Sequence, residues 1–339
     1  MKRFRSLVAA SMATVLLVAS LALTGCLGST GSKEITLKPT IDTPTIIESG
    51  VLKVGVDTTR APFAGQSKGK IIGIDVDLAA AVAEQLGLKL ELVDIAGESA
   101  DDMLAAGTVD VVMDIEKGGV QSTQAVQVGP YLIDGPALFM VQLSDSIPDI
   151  DLTALASATV AAQENSLSAW QVAQVAPDST IISVPALEEA FNQLSDGKVT
   201  YVAADAVVGA FLATKEVDYE NISCVKMLGD PLGVYMGVAQ GNTALANALT
   251  EALRAVRDGG VLNVVITKWL GPVSAQVVSS EQAIVTIGAN GAAGSGSANG
   301  SNSTGSSANS GQVSGTTEAT SGEVDTGDDL PDPSLAGGS

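Results

Sequence analysis

Apolar positions fall along this chain in three regimes. From Leu7 to Leu23 they run almost unbroken and without a charge, behind the basic residues Lys2, Arg3 and Arg5. Between residues 51 and 287, short β-rich runs alternate with stretches at helical spacing. From Gly288 to Ser339, large apolar residues nearly vanish among Gly, Ser, Asn, Thr and Ala.

The middle regime predicts the fold. Val51 to Val56 reads as a strand, and Ile74 to Leu86 as a helix that stops at Gly87, the residue best able to take a left-handed C-terminal cap. Leu88 to Val93 predicts a second strand. Ser99 predicts the cap of a helix through Ala106, with Asp101 and Asp102 in its first turn and Gly107 at its end. Val109 to Met113 predicts a third strand. This β-α-β-α-β order implies a parallel sheet with helices on its faces.

A second set begins near residue 150. It comprises a strand from Thr159 to Ala162, a helix capped by Ser166 and running to Val175, and a strand from Thr180 to Val184. Pro185 opens a helix that Gly197 closes, and Val199 to Ala204 is a strand running into Asp205. Helices from Thr243 to Arg257 and from Gly260 to Leu270 complete the pattern. Two sets of about ninety residues predict two α/β lobes rather than one large sheet.

The first regime has the layout of an export signal: a basic end, an apolar stretch, and small residues before a cut site. Leu23-Thr24-Gly25-Cys26 resembles the lipobox of bacterial lipoproteins. That resemblance implies a signal peptide over 1–25, a diacylated Cys26 as the new N-terminus, and a linker to residue 50. Gly28 to Ser32 read as a flexible tether, and Pro39 and Pro44 keep the linker extended. The competing readings are an uncleaved anchor helix, since the run is near the lower limit for spanning hydrocarbon, and an ordinary signal with a chance cysteine. The segment 288–339 ends in Glu318, Glu323, Asp325, Asp328, Asp329 and Asp332 and has no aromatic residue, which predicts a disordered tail.

Composition narrows the chemistry. Loss of the signal removes three positive charges and moves the formal net charge from −21 to −24. A chain this acidic is a poor nucleic-acid binder. Beyond Cys26 the only cysteine is Cys224, so no internal disulfide is available, and its apolar setting from Ile222 to Leu228 reads as core. The absence of histidine excludes Ser-His-Asp and Cys-His catalysis and argues against zinc. No cofactor is implied.

Five stretches in order carry a family resemblance: Leu52 to Asp57 with Ala61-Pro62-Phe63, Ile72 to Leu78, Leu104 to Val111, Gly197 to Asp205, and Asp258-Gly259-Gly260 leading to Lys268-Trp269-Leu270-Gly271. Over about residues 50–272 the chain resembles the amino-acid-type (family 3) solute-binding proteins of ABC transporters. The resemblance implies the type II periplasmic-binding-protein fold, two α/β lobes closing on a ligand by hinge motion. It implies one lobe over 50–141 plus 240–275 and a second over 142–239. Crossings are expected near Met140–Gln142 and Gly237–Gln240, with the final helices packed back on the first lobe.

Site residues carried over from the family are Asp57 as a first-lobe polar contact, Phe63 in an aromatic turn lining the cleft, and Asp205 as the carboxylate for a ligand ammonium. Asn165 and Ser166 stand where backbone N–H groups at a helix N-terminus hold an anion. The chain departs from the family where an arginine usually clamps the ligand carboxylate, because Met113 to Thr123 contains none. Arg60 or Lys117 is the substitute cation, and Asp114 and Glu116 read as a solvated loop or internal pairs. The plain alternatives are a helix cap for Asp205, a turn for Asp57, a surface charge for Arg60 and core for Phe63. Trp170 and Trp269 read as core.

The resemblance implies a monomeric, lipid-tethered extracytoplasmic receptor that takes an amino-acid-like ligand to an ABC permease. Retained carboxylates without the clamp arginine imply a ligand that is cationic or lacks a standard α-carboxylate. Two other classes stay open. One is a degenerate sensor or scaffold. The other is a surface lyase or dehydratase using Glu116 or Asp114 as an acid, provided burial raises its pKa.

Overall fold

A computed structural model describes residues 37–116, 120–122, 124–144, 146–216, 219 and 221–279, and the described residues from Lys38 onward fall in one compact unit. The signal, Cys26, Lys117 and the segment 288–339 lie outside the described residues.

Strands β1 (Val51–Val56), β4 (Lys89–Asp94), β5 (Val111–Ile115), β12 (Leu232–Val238) and β6 (Val126–Asp134) form a first sheet in the order β4-β1-β5-β12-β6. A second sheet has the order β11-β7-β10-β8-β9, from β7 (Pro136–Val141), β8 (Thr159–Gln163), β9 (Thr180–Val184), β10 (Tyr201–Asp205) and β11 (Ile222–Met227). A hairpin of β2 (Gly65–Ser67) and β3 (Lys70–Ile72) stands beside the first sheet's connections. The helices are α1 (Ile74–Leu86), α2 (Ala100–Ala105), α3 (Leu167–Val175), α4 (Leu187–Ser195), α5 (Ala206–Lys215), α6 (Thr243–Asp258), α7 (Val261–Leu270) and α8 (Pro272–Val278). A short 3-10 turn covers Leu152–Ser157.

One strand in each sheet runs against its neighbours: β12 lies antiparallel to β5 and β6, and β7 lies antiparallel to β10 and β11. Each is the first strand after the chain has changed sheets. The sheets are therefore mainly parallel with one reversed strand apiece. The change from β6 to β7 occurs at Gly135, whose φ of 134° few side chains tolerate. The return falls between Met227 and Leu232. Both exchanges lie upstream of those implied near Met140–Gln142 and Gly237–Gln240. The register explains the difference, since Ala137 to Phe139 already pair with β10 and Gly237 still pairs with β5.

The predicted caps hold. Gly87 closes α1 in the left-handed conformation, and the Ser99 and Ser166 hydroxyls accept from Asp102 N and Ala169 N. Buried apolar residues of both lobes, among them Val54, Leu78, Phe139 and Phe191, join one cluster. The final helices do not all return to the first lobe. α6 packs on α1 and β6, α7 touches both α1 and α5, and α8 lies on β11. Trp269 is core, its ring 6.1 Å from Phe211 and its Nε1 donating to Asp77. Trp170 is not: it is 57% exposed. In α3 the buried positions are Ser168 and Val172, and a residue two places from each points to the opposite face.

Gly73, just before α1, fixes the turn that carries the candidate site. Ile74 N and Asp75 N donate to the carbonyls of Pro62 and Phe63 at 3.0 Å, and a Cβ on Gly73 would stand 2.1 Å from the Phe63 oxygen. With φ at 149°, strain adds to the clash. Gly73→Ala is therefore expected to destabilise the protein by about 3 kcal/mol, read as a lower urea midpoint with an unchanged slope.

Candidate functional site

The candidate residues stand at the C-terminal ends of parallel strands, where open α/β sheets collect ligands. Asp57 follows β1, Asp114 and Glu116 close β5, Asn165 and Ser166 follow β8, and Asp205 ends β10.

In the first lobe, the Arg60 guanidinium ties the strand ends together. Its Nε donates to Asp114 Oδ2 at 2.5 Å and its Nη2 to Glu116 Oε1 at 3.0 Å. It stands 5.6 Å from the centroid of the Phe63 ring. The carboxylates are buried, Asp114 at 2% and Glu116 at 6% side-chain exposure, against 29% for Arg60. A further chain runs beneath them. Asp114 N donates to Tyr131 Oη at 3.2 Å, and Tyr131 Oη donates to Asp75 Oδ1 at 2.6 Å. Asp114 sits at φ 58°, a left-handed conformation uncommon for a residue with a side chain. Among the described residues its Oδ1 is a buried oxygen without a hydrogen-bond partner.

In the second lobe, Asp205 occupies the N-cap position of α5, yet its carboxylate makes no cap bond. Asp134 does that work from the sheet exchange, its Oδ1 accepting from Gly135 N at 2.8 Å and Val207 N at 3.0 Å. The Asp205 carboxylate turns instead to the first turn of α3, where Ser168 Oγ donates to it at 3.2 Å. Ser166 Oγ donates to Gln163 O and accepts from Ala169 N, so its hydroxyl is spent on the cap. Asn165 takes a left-handed φ of 59° ahead of it.

The structure thus brings Arg60, Asp114 and Glu116 into one cluster. Asp205 is near enough for its charge to act on Glu116. The solvated-loop reading of Asp114 and Glu116 gives way to internal pairing, because both carboxylates are buried under Arg60. Phe63 is buried and underlies Arg60 rather than presenting its ring to a ligand. Asp57 orders its own turn, accepting from Thr59 N and Oγ1 at 2.9 and 2.7 Å. Lys117 is outside the described residues. Sequence reasoning missed Asp75, Tyr131, Asp134 and Ser168. An acid one residue into a helix behind Gly73 was a readable sign for Asp75, whereas Tyr131 was hidden behind Gly129-Pro130, which reads as a turn.

Residues 52–272 match the family described as bacterial extracellular solute-binding proteins, family 3. The ABC transporter glutamine-binding protein GlnH of Bacillus subtilis (strain 168) is 23% identical over 275 residues, covering 80% of this chain and 98% of that protein. A probable amino-acid ABC transporter-binding protein of Haemophilus influenzae is 26% identical over 65% of this chain and 84% of its own length. The crystal structure of a polar amino acid ABC uptake transporter substrate binding protein from Streptococcus thermophilus has a TM-score of 0.57 at 20% identity. It covers 70% of this chain and 90% of its own, a likeness of fold.

Burial governs the site's protonation. It raises the Asp75 and Asp114 carboxyls, and for Asp114 the charge of Asp75 adds to the effect while Arg60 opposes it. Burial also lifts Glu116 to about 7, helped by Asp114 and Asp205. Asp134 likewise rises to about 7, against the two backbone N–H groups that favour its ionised form. These groups bind more protons folded than unfolded between their ordinary range near 4 and their raised values. Their contribution to stability is full below that range and is lost as pH rises through neutrality, by up to about 1.4 kcal/mol per pH unit for each group. The melting temperature is expected to fall between about pH 4.5 and about pH 7.5 and to level off above that. Asp134→Asn, which keeps an acceptor oxygen for Gly135 and Val207, is expected to flatten that slope in a series of calorimetric scans.

Proposed function

The chain belongs to the bacterial extracellular solute-binding proteins of family 3, and from that membership we propose that it captures an amino acid or related small polar metabolite between its lobes for delivery to an ABC permease. The observation that carries the reading is the Asp205 carboxylate. It stands at a helix N-cap without capping, at the end of a parallel strand, and its charge acts on Glu116 of the other lobe. A carboxylate so placed is available to a ligand ammonium, and such a charge-assisted bond strengthens when closure excludes water. The lobes are proposed to divide at Gly135 and between Met227 and Leu232, where the chain changes sheets.

Catalysis is not part of the reading. The raised carboxylates meet the condition set for a surface lyase, but Asp114 and Glu116 both hold Arg60, and buried ion-pair networks shift pKa values without any reaction. The protein acts as a monomer held at the outer membrane face by two acyl chains on Cys26, because the Leu23-Thr24-Gly25-Cys26 sequence stands where the export signal ends.

Two experiments test this. In a thermal-shift screen of the full chain against amino acids, amines, short peptides and organic acids, one ligand class is expected to stabilise the protein. At a hundredfold excess over its dissociation constant the gain is about 2.7 kcal/mol. Asp205→Ala should abolish it, and a flat screen would move the assignment to a scaffold. For the anchor, Cys26→Ser is expected to stop incorporation of labelled palmitate and shift the protein from the membrane fraction to the medium. Unchanged labelling would rule out Cys26 as the lipid site.

A further inference from the structure

Resting on the receptor reading above, the geometry points to a ligand of a narrower class: an organic cation, an amine or guanidine, that carries no carboxylate. Two elements of this site have the polarity to hold a ligand carboxylate, and each already faces an acid of the protein. The Arg60 guanidinium is committed through Nε to Asp114 and through Nη2 to Glu116. The first turn of α3, the positive end of a nine-residue helix, turns the Ser168 hydroxyl to Asp205. A ligand carboxylate entering here competes with Asp114 and Glu116, buried beneath Arg60, for that cation and with Asp205 for the helix end. Like charges at such range in a closing, water-poor space are repelled strongly.

A cation meets the opposite situation. Among the described residues Asp114 Oδ1 is buried without a hydrogen-bond partner, and leaving a buried acceptor unsatisfied is costly. Among the described residues Arg60 is the one cation whose field reaches Asp75, Asp114 and Glu116, so these acids outnumber it. Asp134 feels both Asp205 and Glu116, which places four acids from both lobes within electrostatic reach when Asp114 is included. Burial first, and the neighbouring acids after it, raise the Asp114, Glu116 and Asp134 carboxyls, and Arg60 only partly offsets this at Asp114 and Glu116. An ammonium or guanidinium seated among Asp205, Glu116 and Asp114 offsets it further and supplies a donor to the orphan oxygen. An aromatic side chain is not the recognition element, because Phe63 is buried under Arg60.

Matched pairs that differ only by a carboxylate test this directly. Calorimetric titration of the full chain with agmatine against arginine, and with cadaverine against lysine, holds the distal cation constant and removes the acid. The amine of at least one pair is expected to bind at least tenfold more tightly than its amino acid. Asp205→Asn and Glu116→Gln should each weaken that amine at least tenfold while leaving the circular dichroism spectrum unchanged. If arginine or lysine binds as tightly as its decarboxylated partner, the inference is overturned and the receptor reading stands, with Arg60 released from its acids to clamp the ligand. If only neutral amino acids bind, the inference fails in the same way. If no amine or amino acid binds, both readings fall together.

Discussion

A carboxylate removed from water must be paired, hydrogen-bonded or protonated, and Asp134 shows how this protein answers that constraint where the chain passes between its sheets. Its Oδ1 takes the Gly135 and Val207 N–H groups, one from the exchange and one from the first turn of α5. That single acceptor locks the departing strand to the helix that follows β10. It also has a consequence downstream. Because α5 is capped from Asp134, the residue at its N-cap position is released from capping, and Asp205 is left with its side chain turned toward α3. The carboxylate proposed to hold the ligand is thus freed by a structural group acting from another element.

The same constraint organises the first lobe. Asp75 and Asp114 are buried close enough to repel each other, and the fold separates their demands by inserting Tyr131. The phenol donates to Asp75 and accepts from the Asp114 backbone, so Asp114 can hold its left-handed conformation and aim its carboxylate at Arg60. The arginine in turn rests on Phe63, whose carbonyl is fixed by the N-terminus of α1 behind Gly73. Removing a methylene from this arrangement, or adding one at Gly73, would move charged atoms rather than only apolar ones.

Much of the fold was legible because local signals and tertiary structure agree. Gly87, Ser99 and Ser166 cap the helices the spacing predicts, and the strands fall within a residue or two of their apolar runs. The sheet exchanges were not legible, since β6 is broken in sequence by Gly129-Pro130 and runs on to β7 through one glycine. Trp170 misled for a related reason: the α3 stripe is only two residues wide, too narrow for periodicity to say which side is covered. The site was half visible. Asp205 and the missing arginine could be read as residue types, but no sequence pattern says that Arg60 faces Asp114 from 54 positions away or that Asp134 caps a helix 73 positions on.

These two findings bear on how the lobes can close at all. A family clamp arginine offers charge to the ligand, whereas this chain spends its arginine on its own acids and keeps Asp205 on the other side. Closing the lobes over Glu116 and Asp205 brings like charges together and strips water from them, which opposes closure unless something positive is enclosed. The unliganded protein can meet part of that cost by taking up protons, as the raised Glu116 and Asp134 carboxyls indicate. A cation meets it without protons and contributes hydrogen bonds as well. Selectivity in this arrangement comes less from contacts made to the right ligand than from the penalty on closing over a wrong one. On the proposed reading, departure from the family arginine is a change of ligand chemistry built into the electrostatics of closure, not an erosion of the site.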